Sequence, residues 1–230
     1  MSKTTPKTAP KAKAFRKAND TRELRIAKQA SAREAIGPIT PGQDVFVLTF
    51  GQFSLIDVLV HVLDEIGPAS VDISTWTAAH ADVQRAADLM SAAAITKLRF
   101  VVDRSFETRQ PEYCAHMRLL FGEDCIRATR THAKFIVIRN ERANVVVRTS
   151  MNLNENPRLE NVEVSESREF AEWFTGVVDA IFADLEPRHN ESALNLPSLQ
   201  ESFDFRECEA QAIPLSTLTV PETTHVLTRS

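Results

Sequence analysis

At 230 residues and 43% hydrophobic content, the chain is long enough for one sizeable α/β core with tails. Its 27 Lys and Arg nearly balance 31 Asp and Glu, but residues 1–36 hold ten basic against three acidic side chains, a net +7, so the rest carries −11 of the overall −4. No apolar stretch is long enough to span a bilayer, and none follows the basic start as a secretion signal would; Cys114, Cys125 and Cys208, unevenly spaced and without a Cys-x-x-Cys, point to free thiols in a reducing, cytoplasmic setting and to no metal site.

Three regions are expected. Residues 1–36 form a basic arm, disordered up to Lys17, where Lys, Thr, Pro and Ala recur with hardly an apolar anchor, and helix-friendly from Asp20 to Ile36 through Leu24, Ala27, Ala30 and Ala35. Such an arm holds nucleic-acid phosphates without sequence preference, or serves only as a solubilising tail. Residues 43–186 form the α/β domain, and 187–230, which lose any period, a peripheral tail with a short apolar-acidic piece around Leu199 to Phe205.

Within the domain, 44–50 reads as a buried strand and Ser54 with Asp57 as a capping box opening a helix with apolar positions Leu55, Ile56, Leu59, Val60, Leu63 and Ile66, stopped by Gly67-Pro68. His61 on that helix reads as a surface or interface histidine. A strand at 70–75, a helix at 79–94, a strand at 97–103, a helix at 111–121 and a short strand at 125–128 follow. This alternation is that of parallel pairing through crossovers, whose ligands bind beyond the carboxyl ends of the strands. That rule nominates Thr49, Gly51, Gln52, Ser54, Thr75, Trp76, Thr77, Asp103 and Arg104 as rim residues. Trp76 has two readings, a stacking surface for a base or a cap on the core. Phe135 to Ile138 and Val145 to Val147, joined by the polar stretch 140–144, form a hairpin, 161–164 another strand, and 170–185 an amphipathic helix packing on the sheet.

The hairpin is preceded by Thr-His-Ala-Lys (131–134) and followed by Thr-Ser-Met-Asn-Leu-Asn (149–154). Read as part of the strand, His132 and Lys134 share one face at i and i+2. A phosphodiester repels nucleophiles, so cleaving one needs a cation on the non-bridging oxygens, an in-line nucleophile and an acid for the leaving oxygen. Lys134 with Arg130 or Arg148 suits the first role and a neutral His132 the second. Read singly, a histidine on an apolar strand is a structural residue; the pattern with Lys134, Ser150 and Asn152 is what carries the chemistry.

These segments resemble the phospholipase D-like superfamily, whose motif is His-x-Lys, four residues, Asp, then Gly-Ser-x-Asn. His132-Ala-Lys134 and Ser150-Met-Asn152 match; Arg139 stands at the Asp position and Thr149 at the Gly. The resemblance implies a mixed sheet flanked by helices, a phosphohistidine at His132, phosphate oxygens held by Lys134, Ser150 and Asn152, and no cofactor or metal. It also implies an acidic residue after the Ser/Asn segment that orients the imidazole, Glu160 or, preferred because it falls in the 161–164 strand, Glu163. The family supplies its leaving-group acid from a second His-x-Lys. None occurs here, so a homodimer pairing two copies of His132 is implied. The expectation is a metal-independent phosphodiesterase acting on DNA or RNA; the other readings are a noncatalytic phosphate- or nucleic-acid-binding module, favoured by Arg139 and Thr149, and an assembly protein.

Overall fold

The computed structural model describes residues 21–27, 31–154 and 157–187. The expected basic arm up to Asp20 and the tail beyond Pro187 lie outside them.

Eight strands form one mixed sheet in the order β1-β2-β8-β7-β6-β3-β4-β5. They are β1 (Thr21–Ala27), β2 (Gln43–Thr49), β3 (Ala69–Thr75), β4 (Ile95–Asp103), β5 (Ile126–Thr129), β6 (Phe135–Arg139), β7 (Asn144–Thr149) and β8 (Glu160–Glu166). The helices are α1 (Ala32–Ile36), α2 (Leu55–Ile66), α3 (His80–Ser91), α4 (Phe106–Arg109), α5 (Pro111–Phe121) and α6 (Arg168–Asp184). Pairing is parallel for β1/β2, β3/β4 and β4/β5, and antiparallel for β2/β8, β8/β7, β7/β6 and β6/β3. The α/β class with a mixed sheet is therefore as expected. Parallel grammar alone would set β2 beside β3; instead β8, β7 and β6 lie between them.

Strand alternation divides the core between the two faces. Ile136 and Ile138 of β6 join Val71, Ile73, Leu98 and Phe100 against Leu55, Ile56 and Leu59 of α2. Phe135 and Val137 point the other way, with Val101 and Val146, onto Ala171, Val178 and Ile181 of α6. The apolar stripe of α6 is thus core packing. Its grip on the sheet is also ionic. Arg99 on β4 makes a two-pronged bond to Asp72 on β3 (Nε to Oδ1 2.6 Å, Nη2 to Oδ2 2.8 Å) and reaches Asp179 on α6 at 2.6 Å.

Local signals hold where they are self-contained. The α2 capping box forms, with the Ser54 amide donating to Asp57 at 2.7 Å. The β6–β7 turn closes on Asn140, whose Oδ1 accepts from the amides of Arg142 at 2.8 Å and Ala143 at 3.0 Å.

Two expectations fail. The helix expected over 20–36 is a strand followed by a five-residue helix. Residues 21–27 pair in register with all of β2, and Arg25 donates to the α1 carbonyls of Ala35 at 3.1 Å and Ile36 at 2.8 Å. Ladder bonds and a satisfied helix end outweigh the weak helix propensity of this stretch. His61 is buried, not a surface residue: α2 turns it inward, where Nε2 meets the Gly37 carbonyl at 2.7 Å.

Candidate phosphate site

Antiparallel pairing brings the start of β6, the end of β7 and the start of β8 to the edge where β2, β3, β4 and β5 end. His132 and Lys134 lie in the segment just before β6, not within the strand. Two anchors hold that segment. The Ser74 hydroxyl donates to the Ala133 carbonyl at 2.9 Å, and the Thr131 amide donates to Asp103 Oδ2 at 3.2 Å. Asp103 ends β4, and its Oδ1 accepts from the Ser105 amide at 2.9 Å and from the Ser105 hydroxyl. Burial pushes the Asp103 carboxyl up, but the Ser105 and Thr131 hydrogen bonds and the Arg109 charge outweigh it, leaving the carboxyl below its ordinary value.

His132 is exposed, and the Lys134 ammonium sits against it, 3.3 Å from Nδ1 and 3.2 Å from the backbone oxygen. An ammonium has only protons to give, so in this arrangement Nδ1 is the acceptor and Nε2 carries the ring proton. Desolvation lowers the Lys134 pKa, opposed by the charge of Glu160.

The end of β7 is tied to β8 and to the segment after β3. The Ser150 hydroxyl accepts from the Asn161 amide at 2.9 Å and donates to Glu160, while Thr149 Oγ1 donates to the Asn161 carbonyl at 2.6 Å. Leu153 forms a bridge with Ala78 and accepts from the Ala79 amide at 2.7 Å. Between these anchors the Oδ1 of Asn152 is buried with no hydrogen-bond partner among the described residues.

Glu163 does not take the place expected of it. It pairs with Arg148 at 2.5 Å and lies 3.8 Å from Arg22, on the α6 side of the sheet. Strand alternation explains this, because three residues along β8 reverse the face and carry the side chain down the strand. Glu160, at the β8 start, is the carboxylate that joins Ser150 and acts on Lys134. The same ion pair commits Arg148, also offered as a phosphate cation, whereas Arg130 is exposed beside His132 in sequence. Arg139 is the last residue of β6, opposite Asn144, at the end of the strand away from His132. The backbone of Arg139 is thus separated from His132 by the whole of β6.

Most nominated rim residues serve the frame. Thr49 bonds Gln52 at 2.9 Å, the Thr75 hydroxyl bonds the Thr77 carbonyl at 2.7 Å, and Ser54 caps α2. Trp76 is different: its ring lies 5.5 Å from that of His132, tilted by 51°, with the Arg109 guanidinium carbon 3.8 Å above its centre. Arg109 has no local sequence signal, since it reaches the site only through the turn of α4. Among the described residues no cluster of three or more His, Cys, Asp or Glu side chains is arranged to hold a metal ion, and no helix is long and apolar enough to cross a membrane.

The fold and this edge of it define an α/β protein with a histidine, a lysine and a serine-carboxylate pair gathered at the strand ends. No family model matches the chain, and no curated protein matches it. Among solved structures it is similar to a phospholipase D family member, Nuc from Salmonella typhimurium, at 17% identity over 54% of this chain and 86% of that one, with a TM-score of 0.41. It is also similar to polyphosphate kinase from Porphyromonas gingivalis, at 15% identity over 64% of this chain and 27% of that one, with a TM-score of 0.45.

Proposed function

We propose that the chain is a metal-independent phosphodiesterase of the phospholipase D-like type that cleaves DNA or RNA as a homodimer. The observation that carries this reading is the convergence of His132, Lys134, Ser150 and Glu160 at one strand-end edge, where the segment through Asn152 also runs. A phosphate entering there draws the Lys134 ammonium from Nδ1 to a non-bridging oxygen, which frees the imidazole to exchange its tautomer. With the proton on Nδ1, His132 Nε2 attacks phosphorus, forming the N–P bond as the P–O bond to the leaving oxygen breaks. The partner copy's imidazolium gives that oxygen its proton and then takes one from the water that hydrolyses the phosphohistidine. Ser150, held by Glu160 and the Asn161 amide, and Asn152 border the phosphate oxygens; Glu160 replaces Glu163 as the acidic member.

One observation favours the second reading, a noncatalytic phosphate-binding module. His132 Nδ1 meets an ammonium, where a nucleophilic histidine is ordinarily backed by a carboxylate. Incubating the protein and its His132→Ala variant with labelled single- and double-stranded DNA and RNA in EDTA separates the two. Cleavage by the parent alone is the expected result. Equal binding by both proteins with no cleavage by either identifies the binding module and refutes the enzyme.

A further inference from the structure

The aromatic and cationic layers beside His132 belong to neither the fold nor the bond-breaking steps. Trp76 is the first residue beyond β3; it is partly exposed and is not among the side chains packed against the core. Arg109 is exposed, yet it is fixed from three directions. Its Nη2 donates to the Trp76 carbonyl at 2.9 Å, its Nε to the Ser105 hydroxyl at 3.0 Å, and the Asp103 carboxylate attracts its charge. Guanidinium, indole and imidazole thus form a run of flat groups along the site edge, with Arg109 3.8 Å over one ring and His132 5.5 Å from it. Holding an exposed arginine over a half-exposed tryptophan pre-organises a surface for another flat, electron-rich group, since the ordering cost is met before binding.

We propose that Trp76 and Arg109 form a stacking platform for the nucleobase next to the phosphate at His132 and Lys134, so that this site selects nucleic acid over phosphodiesters without a base. The inference rests on the proposed phosphate site and adds its substrate class. A phospholipid offers acyl chains and an inorganic polyphosphate offers only oxygens; neither presents a π-face to the guanidinium or the indole. Stacking accepts every base, so the platform gives preference for nucleic acid without sequence preference. Arg104 and Arg130, which follow the ends of β4 and β5 on the same edge, supply cations for the flanking phosphates.

The sequence contains two tryptophans, so Trp173→Phe leaves Trp76 as the sole indole. That protein is titrated in EDTA with phosphorothioate oligothymidylate, which resists cleavage, and with an abasic phosphorothioate oligomer of equal length; inorganic polyphosphate and phosphatidylglycerol vesicles, which carry neither a base nor a quaternary ammonium, serve as base-free comparisons. The expected result is quenching of Trp76 emission by oligothymidylate alone, with binding tighter than to the abasic oligomer by about 5- to 150-fold. Trp76→Ala removes that factor and Trp76→Phe keeps most of it, each with an unchanged far-UV circular dichroism spectrum; if the alanine protein misfolds, the phenylalanine protein and the emission change decide. Equal binding of the two oligomers, or binding of neither, overturns the platform. Histidine-dependent cleavage indifferent to the base refutes the platform alone, whereas base-dependent quenching with no cleavage by any form refutes the phosphodiesterase alone.

Discussion

Asp103→Asn tests whether the segment carrying His132 is held by the hydrogen bonds described. The carboxylate uses Oδ1 for Ser105 and Oδ2 for the Thr131 amide, at 2.9 and 3.2 Å from the two backbone nitrogens. An asparagine keeps one acceptor, so in either orientation one backbone N–H faces an NH2 group. Replacing a charge-assisted bond worth about 1.5–3 kcal/mol by no bond, at a partly solvated position, costs about 1.5 kcal/mol. If that loss falls on the Thr131 contact, the ratio of anchored to released segment drops about tenfold, and kcat/KM falls by up to that factor, in proportion to the anchored fraction. The assay is cleavage kinetics alongside amide hydrogen exchange over residues 130–134, which should speed up while the β6 amides stay protected. Unchanged turnover together with unchanged exchange would show that Asp103 does not position His132. The pH dependence has a fixed sign: the folded-state pKa lies below the ordinary 3.8, so the anchor is present above the unfolded-state value and is lost only as pH falls through the lowered one. Throughout the neutral range the anchor is expected to be independent of pH.

Three further outcomes follow from the same structure. Arg99→Met leaves the nearly buried Asp72 carboxylate unpaired and should lower stability by about 3 kcal/mol in urea denaturation; a loss of under about 1 kcal/mol would mean that water already screens the pair. Because desolvation lowers the Lys134 pKa and Glu160 raises it, the alkaline fall in phosphate affinity should lie below the ordinary 10.5 and move further down in Glu160→Gln; binding titrations that show no shift, or an upward one, contradict this. Arg139→Asp places a carboxylate at the far end of β6 and should change kcat/KM by less than about tenfold, under about 1.4 kcal/mol of transition-state stabilisation, so a larger gain in cleavage assays would implicate that strand end in catalysis.

What could be read from the sequence was what neighbours in the chain decide. The Ser54–Asp57 box, the Asn140 turn and the stripe of α6 each involve residues within a few turns of one another, and each forms. The strand at 21–27 was hidden because its partner, β2, lies 22 residues on and its own composition suits a helix. The candidate site could be proposed as a set of residue types at particular spacings but not as a set of contacts. Whether Glu160 or Glu163 reaches the site depends on which face of β8 each occupies, and the role of Arg109 depends on the course of α4 over Trp76.

The strand order also dictates when this edge comes into being. β2 and β3 are separated by about 20 residues of chain, yet they are joined across the sheet only through β6, β7 and β8. β6 and β7 extend the β3–β4–β5 half, and only β8 joins that half to β1–β2, so the two halves are separate sheets until β8 is paired. Closing the gap requires pairings between distant parts of the chain, such as Asp44 with Ser165, and contacts of that span make folding slow. The three strands that close it carry Lys134, Ser150 and Glu160 at or beside their ends, so these three side chains come together only when β8 is in place.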